Sequence, residues 1–148
     1  MAANLTNVGE EWAQKQIIEQ HSIASWDIGL YNDATDAITD SEDITDITTE
    51  PDTADDYARK TVTVPADVTI TGSTAVQFEI NDQTWSVGTN TGTVDYWFIV
   101  VSFTSDVANG NSESGDNPHL VITGALSSSN DLTDIDNLTV QDIGGTLD

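Results

Sequence analysis

The chain contains no cysteine, which excludes disulfides and thiolate metal sites and leaves the redox compartment unreadable from this residue. Basic residues are nearly missing as well. Lys15, Arg59 and Lys60 stand against 26 Asp and Glu, for a formal net charge of −23. Binding to a phosphate backbone or an anionic bilayer needs a basic patch that displaces counterions. So few cations cannot form one, and neither nucleic acid nor membrane is an expected partner. Long apolar runs are also lacking. The longest, Tyr96–Val101, is strand-sized, far short of the roughly 20 residues that span a bilayer. Residues 1–20 carry neither the basic start nor the unbroken apolar stretch of a secretory signal. The expectation is a protein made in the cytoplasm and used without the general secretory route.

What is present is acid, threonine and strand-forming residues. So acidic a chain invites a reading of disorder, but Leu, Ile, Val and Phe make up about a quarter of it, above the roughly 20 % that marks disordered chains. Asp far outnumbers Glu, and Lys is almost absent. Mixed-sign surfaces are the rule at ordinary ionic strength. The imbalance is read as adaptation to brine, where a Debye length of about 3 Å at 1 M salt suppresses self-repulsion that about 10 Å at 0.1 M leaves in place.

The 148 residues suit one domain. Asn7 and Glu10 have capping-box spacing, and Trp12 with Ala13 and Ile17, or Val8, Trp12 and Ile18, gives an apolar stripe. A helix is therefore expected over residues 7–20, packing by its apolar face. Trp26, Ile28 and Leu30 alternate with polar or small residues in a strand over 25–31. A long acidic loop follows over 32–56, with ten carboxylates, isolated Ile residues, and a helical turn expected near 43–47 or a neighbouring subunit beneath it. Strands are expected over 57–64, 68–71, 75–80, 84–87, 93–104, 119–126 and 137–140. In the 93–104 strand, Val94, Tyr96, Phe98 and Val100 share one face and Trp97, Ile99, Val101 and Phe103 the other. A strand apolar on both faces is buried on both. Polar loops are expected over 105–118 and 127–130, with arms or frayed ends at 1–6 and 144–148. The fold class is mostly β: an antiparallel β-sandwich or jelly-roll-like single domain over 1–148, with one N-terminal helix.

Chemistry is sparse. His21 and His119 have no metal-ligand spacing, and no Gly-x-Ser-x-Gly elbow or phosphate loop occurs. Among so many acids, a carboxylate pair carries no information about glycoside hydrolysis. No catalytic residue, cofactor or enzymatic activity is expected. Asp131, Asp134 and Asp136 are the candidates for a metal, with Asp40, Glu42, Asp43 and Asp46 as a second oxygen-rich group. Neither fits a calcium loop, so the expectation is loosely held Na⁺, K⁺, Mg²⁺ or Ca²⁺ without a dedicated cage. Trp12, Arg59 and Lys60 are the candidate interface residues.

One pattern goes beyond composition. Gly29-Leu30-Tyr31-Asn32-Asp33, then Thr35-Asp36, then Ile47-Thr48-Thr49-Glu50-Pro51, then Tyr57-Ala58-Arg59, together with the Asn4–Trp12 opening, resembles small virion proteins encoded by tailed viruses. With the halophilic composition, the resemblance points to viruses of haloarchaea. It covers roughly residues 4–63. It implies a non-enzymatic structural role as a homo-oligomer with the major capsid protein or other virion proteins as partners. Decoration of the capsid surface is the leading form, and a turret, tail or fibre component is the variant. The rival is a receptor- or carbohydrate-binding β-sandwich, which would expose aromatics such as Trp85 or Tyr96 beside the 105–118 loop.

Overall fold

Alternating apolar residues build the long strands that carry the molecule. The computed structural model describes residues 3–6, 9, 23–63, 66–71, 76–103 and 118–147. Apart from Gly9, the helix expected over 7–20 lies outside them, as do His21 and most of the 105–118 loop. Five antiparallel strands form the main sheet, in the order β1 (Ala3–Leu5), β8 (His119–Asp131), β7 (Thr93–Phe103), β2 (Ile23–Tyr31), β3 (Lys60–Thr61). A second sheet has the order β10 (Ile143–Leu147), β5 (Val76–Ile80), β4 (Val68–Thr71), and β6 (Gln83–Ser86) pairs with β9 (Asn137–Val140). Every strand pair is antiparallel. The mostly-β, single-domain reading holds.

The central strand β7 is buried on both sides, by two different layers. On one side Trp97, Ile99 and Val101 join Ile28 and Leu30 of β2, Trp85 of β6, Ile80 of β5, Leu138 and Val140 of β9 and Ile143 of β10 in one core. The smaller sheets thus close a sandwich over this face. On the other side Tyr31, Phe98, Val100 and Leu120 form a second cluster. Its cover comes from the acidic segment: Ile38, Ile44 and Ile47 pack onto it. The expected loop over 32–56 is an ordered strap that lies on this chain's own sheet. It contains α1 (Asp33–Asp36) and 3-10 turns over Ile44–Asp46 and Thr53–Asp55, the first of them where the sequence suggested a helical turn.

Several expected boundaries move. Val94 joins the sandwich core with Trp97, not the Tyr96–Phe98–Val100 face. The β7–β8 register is irregular between Val94 and Tyr96, and such an irregularity reverses which face a side chain meets. The expected loop over 127–130 belongs to β8, where Asn130 pairs with Val94 and Asp131 with Thr93. Of the strand expected over 57–64, residue 64 lies outside the described residues and the rest shrinks to Lys60–Thr61, because Tyr57 uses its side chain, not its backbone, to meet β2. Neither end frays where described: Ala3–Leu5 pairs with Gly124–Ile122, and Ile143–Leu147 with Ile80–Val76.

Candidate functional site

The motif residues converge where the strap leaves β2 and returns to β3. Only Asp27 and Ile28 of β2 pair with β3, so the β2 edge beyond them needs other partners. Two side chains supply them. Leu30 N donates to the Tyr57 hydroxyl at 2.9 Å, and Asn32 N donates to Thr49 Oγ1 at 2.8 Å. The Tyr57 hydroxyl in turn donates to Glu50 Oε1 at 3.2 Å. Arg59 grips the same carboxylate with both forks, Nε to Oε1 at 2.8 Å and Nη2 to Oε2 at 2.7 Å. Its guanidinium also lies 5.0 Å from the centroid of the Phe98 ring, within cation–π range. A Cβ on Gly29 would stand 2.4 Å from Phe98 Cζ and 3.0 Å from Glu50 Oε1. Glycine is required there because the ring and the carboxylate already fill the space.

The electrostatics follow from this packing. Burial, then the charge of Glu50, raises the Tyr57 pKa far above the ordinary phenol value, so the hydroxyl stays protonated. Burial and the neighbouring Asp33 carboxylate do the same to Tyr31, whose hydroxyl donates to Asp33 Oδ1 at 3.1 Å. The hydrogen bonds from Arg59 to Glu50 raise the guanidinium pKa further.

The strap is fastened by hydroxyl–carboxylate bonds. Asp36 accepts from Thr48 N, Thr48 Oγ1, Thr49 N and Thr49 Oγ1 at 2.6–3.2 Å. Partial burial opposes its charge, but these bonds outweigh it and hold its pKa below the usual value. Asp43 caps the Ile44–Asp46 turn through Thr45 N and Oγ1, which lowers its pKa. Glu42 is held by Thr39 in the same way. Asp95, at the β7 irregularity, accepts from Asp33 N at 2.7 Å and ties the start of α1 to the sheet.

Between the strap's return and the β6–β7 turn lies an open cleft of about 300 Å³, lined by Asn32, Thr49–Asp52, Asn90–Val94 and Leu132. Asn90, only 8 % exposed, staples its walls. Its Oδ1 accepts from Asp52 N at 2.7 Å, and its Nδ2 donates to Val87 O at 2.9 Å and Asp52 O at 3.1 Å. The ionisable groups lining the cleft are Glu50 and Asp52. Glu50 is held by Arg59 and Tyr57, and Asp52 caps the next turn through Ala54 N. Sequence reasoning missed Asn90; Asn90-Thr91-Gly92 reads only as a turn, and nothing in its spacing points to residue 52.

The residues singled out from sequence fare differently. Arg59 is engaged within the chain. Lys60 sits half-buried on β3, and Trp12 lies outside the described residues. Asp131 ends β8 and accepts from Thr133 N at 2.9 Å, which lowers its pKa. Asp134 occupies a left-handed turn position, and Asp136 is exposed. Among the described residues no group of three or more His, Cys, Asp or Glu is arranged to hold a metal. No helix among them is long and apolar enough to cross a membrane. Of the two aromatics named for a carbohydrate-binding face, Trp85 is fully buried, and half-buried Tyr96 packs edge-on against Tyr31. No family model, curated protein or solved structure matches the chain.

Proposed function

We propose that this chain is a non-enzymatic structural protein of a haloarchaeal tailed-virus particle, decorating or stabilising the capsid surface as an oligomer. The observation that carries the reading is the fate of the motif. Its ionisable side chains among the described residues, Tyr31, Asp33, Asp36, Glu50, Tyr57 and Arg59, all close bonds inside the fold. A catalytic group needs a side chain poised toward a substrate, whereas these are spent on fastening the strap to the sheet. A motif used in this way serves a durable subunit. The acid surplus suits the same role, because a carboxylate-rich shell stays hydrated in brine.

The test is composition of the particle. Virions purified from an infected haloarchaeal culture at molar salt are quantified by mass spectrometry. A copy number in whole-number ratio to the major capsid protein supports decoration, and a few copies per particle moves the protein to the tail. Absence from purified virions overturns the reading.

A further inference from the structure

The second sheet ends in a strand that has no partner on its outer side among the described residues. β4 (Val68–Thr71) pairs with β5 alone. An open edge presents a row of backbone donors and acceptors, and proteins usually blunt it with charge, proline or extreme shortness. The β3 edge of the main sheet has such protection: it is two residues long and carries Lys60. β4 carries neither charge nor proline, and residues 68–78 contain no charged side chain. Ile70 points to the same side of its sheet as Val68 and its cross-strand neighbour Phe78, which pack on the core. Yet Ile70 is 70 % exposed, the large apolar side chain that the described fold leaves uncovered.

We propose that a second copy of this chain docks on this edge, adding its own β4 antiparallel across a two-fold axis. The inference rests on the oligomeric reading above and says where two copies meet. Charge selects the occupant. Two copies at −23 each repel, so they meet where carboxylates are few. Asp67, just before the strand, already accepts from Thr63 N at 2.9 Å and from Asn81 Nδ2 at 3.4 Å, and exposed Glu79, opposite Thr69, stands on β5, one strand back from the edge. Symmetry selects the register. A two-fold axis normal to an antiparallel pair sets one residue opposite its own copy and keeps the core-facing side common to both. With Ile70 on the axis, the two exposed isoleucines become cross-strand neighbours, and Thr69 faces the partner's Thr71. The two Asp67 carboxylates then lie six strand steps apart, roughly 20 Å, beyond the Debye length of about 10 Å at 0.1 M salt.

The absence of native cysteine makes the test direct. Directly opposed residues have Cα atoms about 4.5–5.5 Å apart, inside the disulfide range of about 4.4–6.8 Å. Full-length Ile70→Cys is oxidised at molar salt beside Ser127→Cys, an exposed control on β8. The expected result is covalent dimer from Ile70→Cys on the order of a hundredfold faster, since held thiols have an effective concentration of about 1 mM against free protein at about 10 μM. Ile70→Lys is expected to lower the sedimenting mass of the untreated protein while its circular dichroism stays unchanged. Equal cross-linking rates, or an unchanged mass for Ile70→Lys, overturn the inference. If the protein is found in virions and the rates are equal, the edge contact alone fails. If Ile70→Cys cross-links and the protein is absent from virions, the particle role alone fails.

Discussion

Tyr57 shows how one side chain can replace a strand. Its hydroxyl accepts from Leu30 N and donates to Glu50, doing for β2 what a longer β3 would have done. Tyr57→Phe keeps the ring and removes both bonds, leaving a buried backbone N–H without a partner. Such a group costs about 1–3 kcal/mol, and that loss is expected in a denaturant melt at molar salt. Asn90 is the second position where one amide joins distant segments. Asn90→Ala deletes the bonds to Val87 and Asp52 at once. Each is worth about 1 kcal/mol, so a loss of about 2–3 kcal/mol is expected by the same measurement. The phenols also set an alkaline limit. The folded pKa values of Tyr31 and Tyr57 stand above the 10.0 of an exposed phenol. Their contribution is complete below 10 and is lost as pH rises above it, because the unfolded chain ionises first. Tyrosinate absorbance is therefore expected to appear for these two residues only together with unfolding. None of these roles is legible in the sequence. Tyr57 reads there as the first residue of a strand, and its partner Leu30 lies 27 residues earlier.

At the scale of elements, the sandwich was legible and the strap was not. β4 and β9 fall where alternation and turn residues put them, because a half-buried strand must repeat every second residue. Face assignment fails at Val94, since periodicity carries no sign of a register break. Gly144-Gly145 reads as a frayed end, but Gly144 lies so close to β5 that an added Cβ would stand 2.2 Å from Phe78 O. The isolated Ile38, Ile44 and Ile47 have no helix or strand period because the strap touches the sheet at separated points. Its acid-to-threonine bonds give it a pH dependence. Asp36 and Asp43 have pKa values held below their unfolded 3.8. Their contribution is complete above 3.8 and is lost as pH falls below it through the folded values. At molar salt, where carboxylate repulsion is already screened, acid is expected to release the strap. Protease cleavage and faster amide exchange over 36–49 should appear while β7 and β8 stay protected. Exchange uniform across both regions would mean that the strap and the sandwich unfold as one unit. One substitution should tighten the strap: Ala37 follows α1 with φ of 52°, a left-handed conformation that costs a non-glycine residue about 1–2 kcal/mol. Ala37→Gly is expected to raise stability by up to about 1 kcal/mol, after the entropy glycine returns to the unfolded chain.

On the scale of the molecule, the carboxylates of the described residues divide into those that fasten and those that only hydrate. Asp36 and Asp43 hold threonines, and Glu50 holds Arg59 and Tyr57. Asp40 and Asp56 are exposed and accept no hydrogen bond in the described structure. The second kind adds only repulsion to the folded state, and that repulsion grows as salt is withdrawn. A fastening bond, by contrast, acts at contact distance and is little changed by mobile ions. The two kinds therefore predict opposite responses to amide substitution. Asp40→Asn with Asp56→Asn is expected to leave the melting temperature at molar salt unchanged and to raise it at 0.1 M. Asp56 sits at φ of 69°, a conformation asparagine tolerates equally well, so the substitution adds no backbone strain. Asp36→Asn is expected to lower the melting temperature at both salt concentrations, since an amide cannot accept on both sides from Thr48 and Thr49. Melting curves of the three proteins across a salt series check this. If Asp40→Asn with Asp56→Asn is as damaging at molar salt as Asp36→Asn, the free carboxylates bind ions that the fold needs, and the acid surplus is more than a hydrated skin.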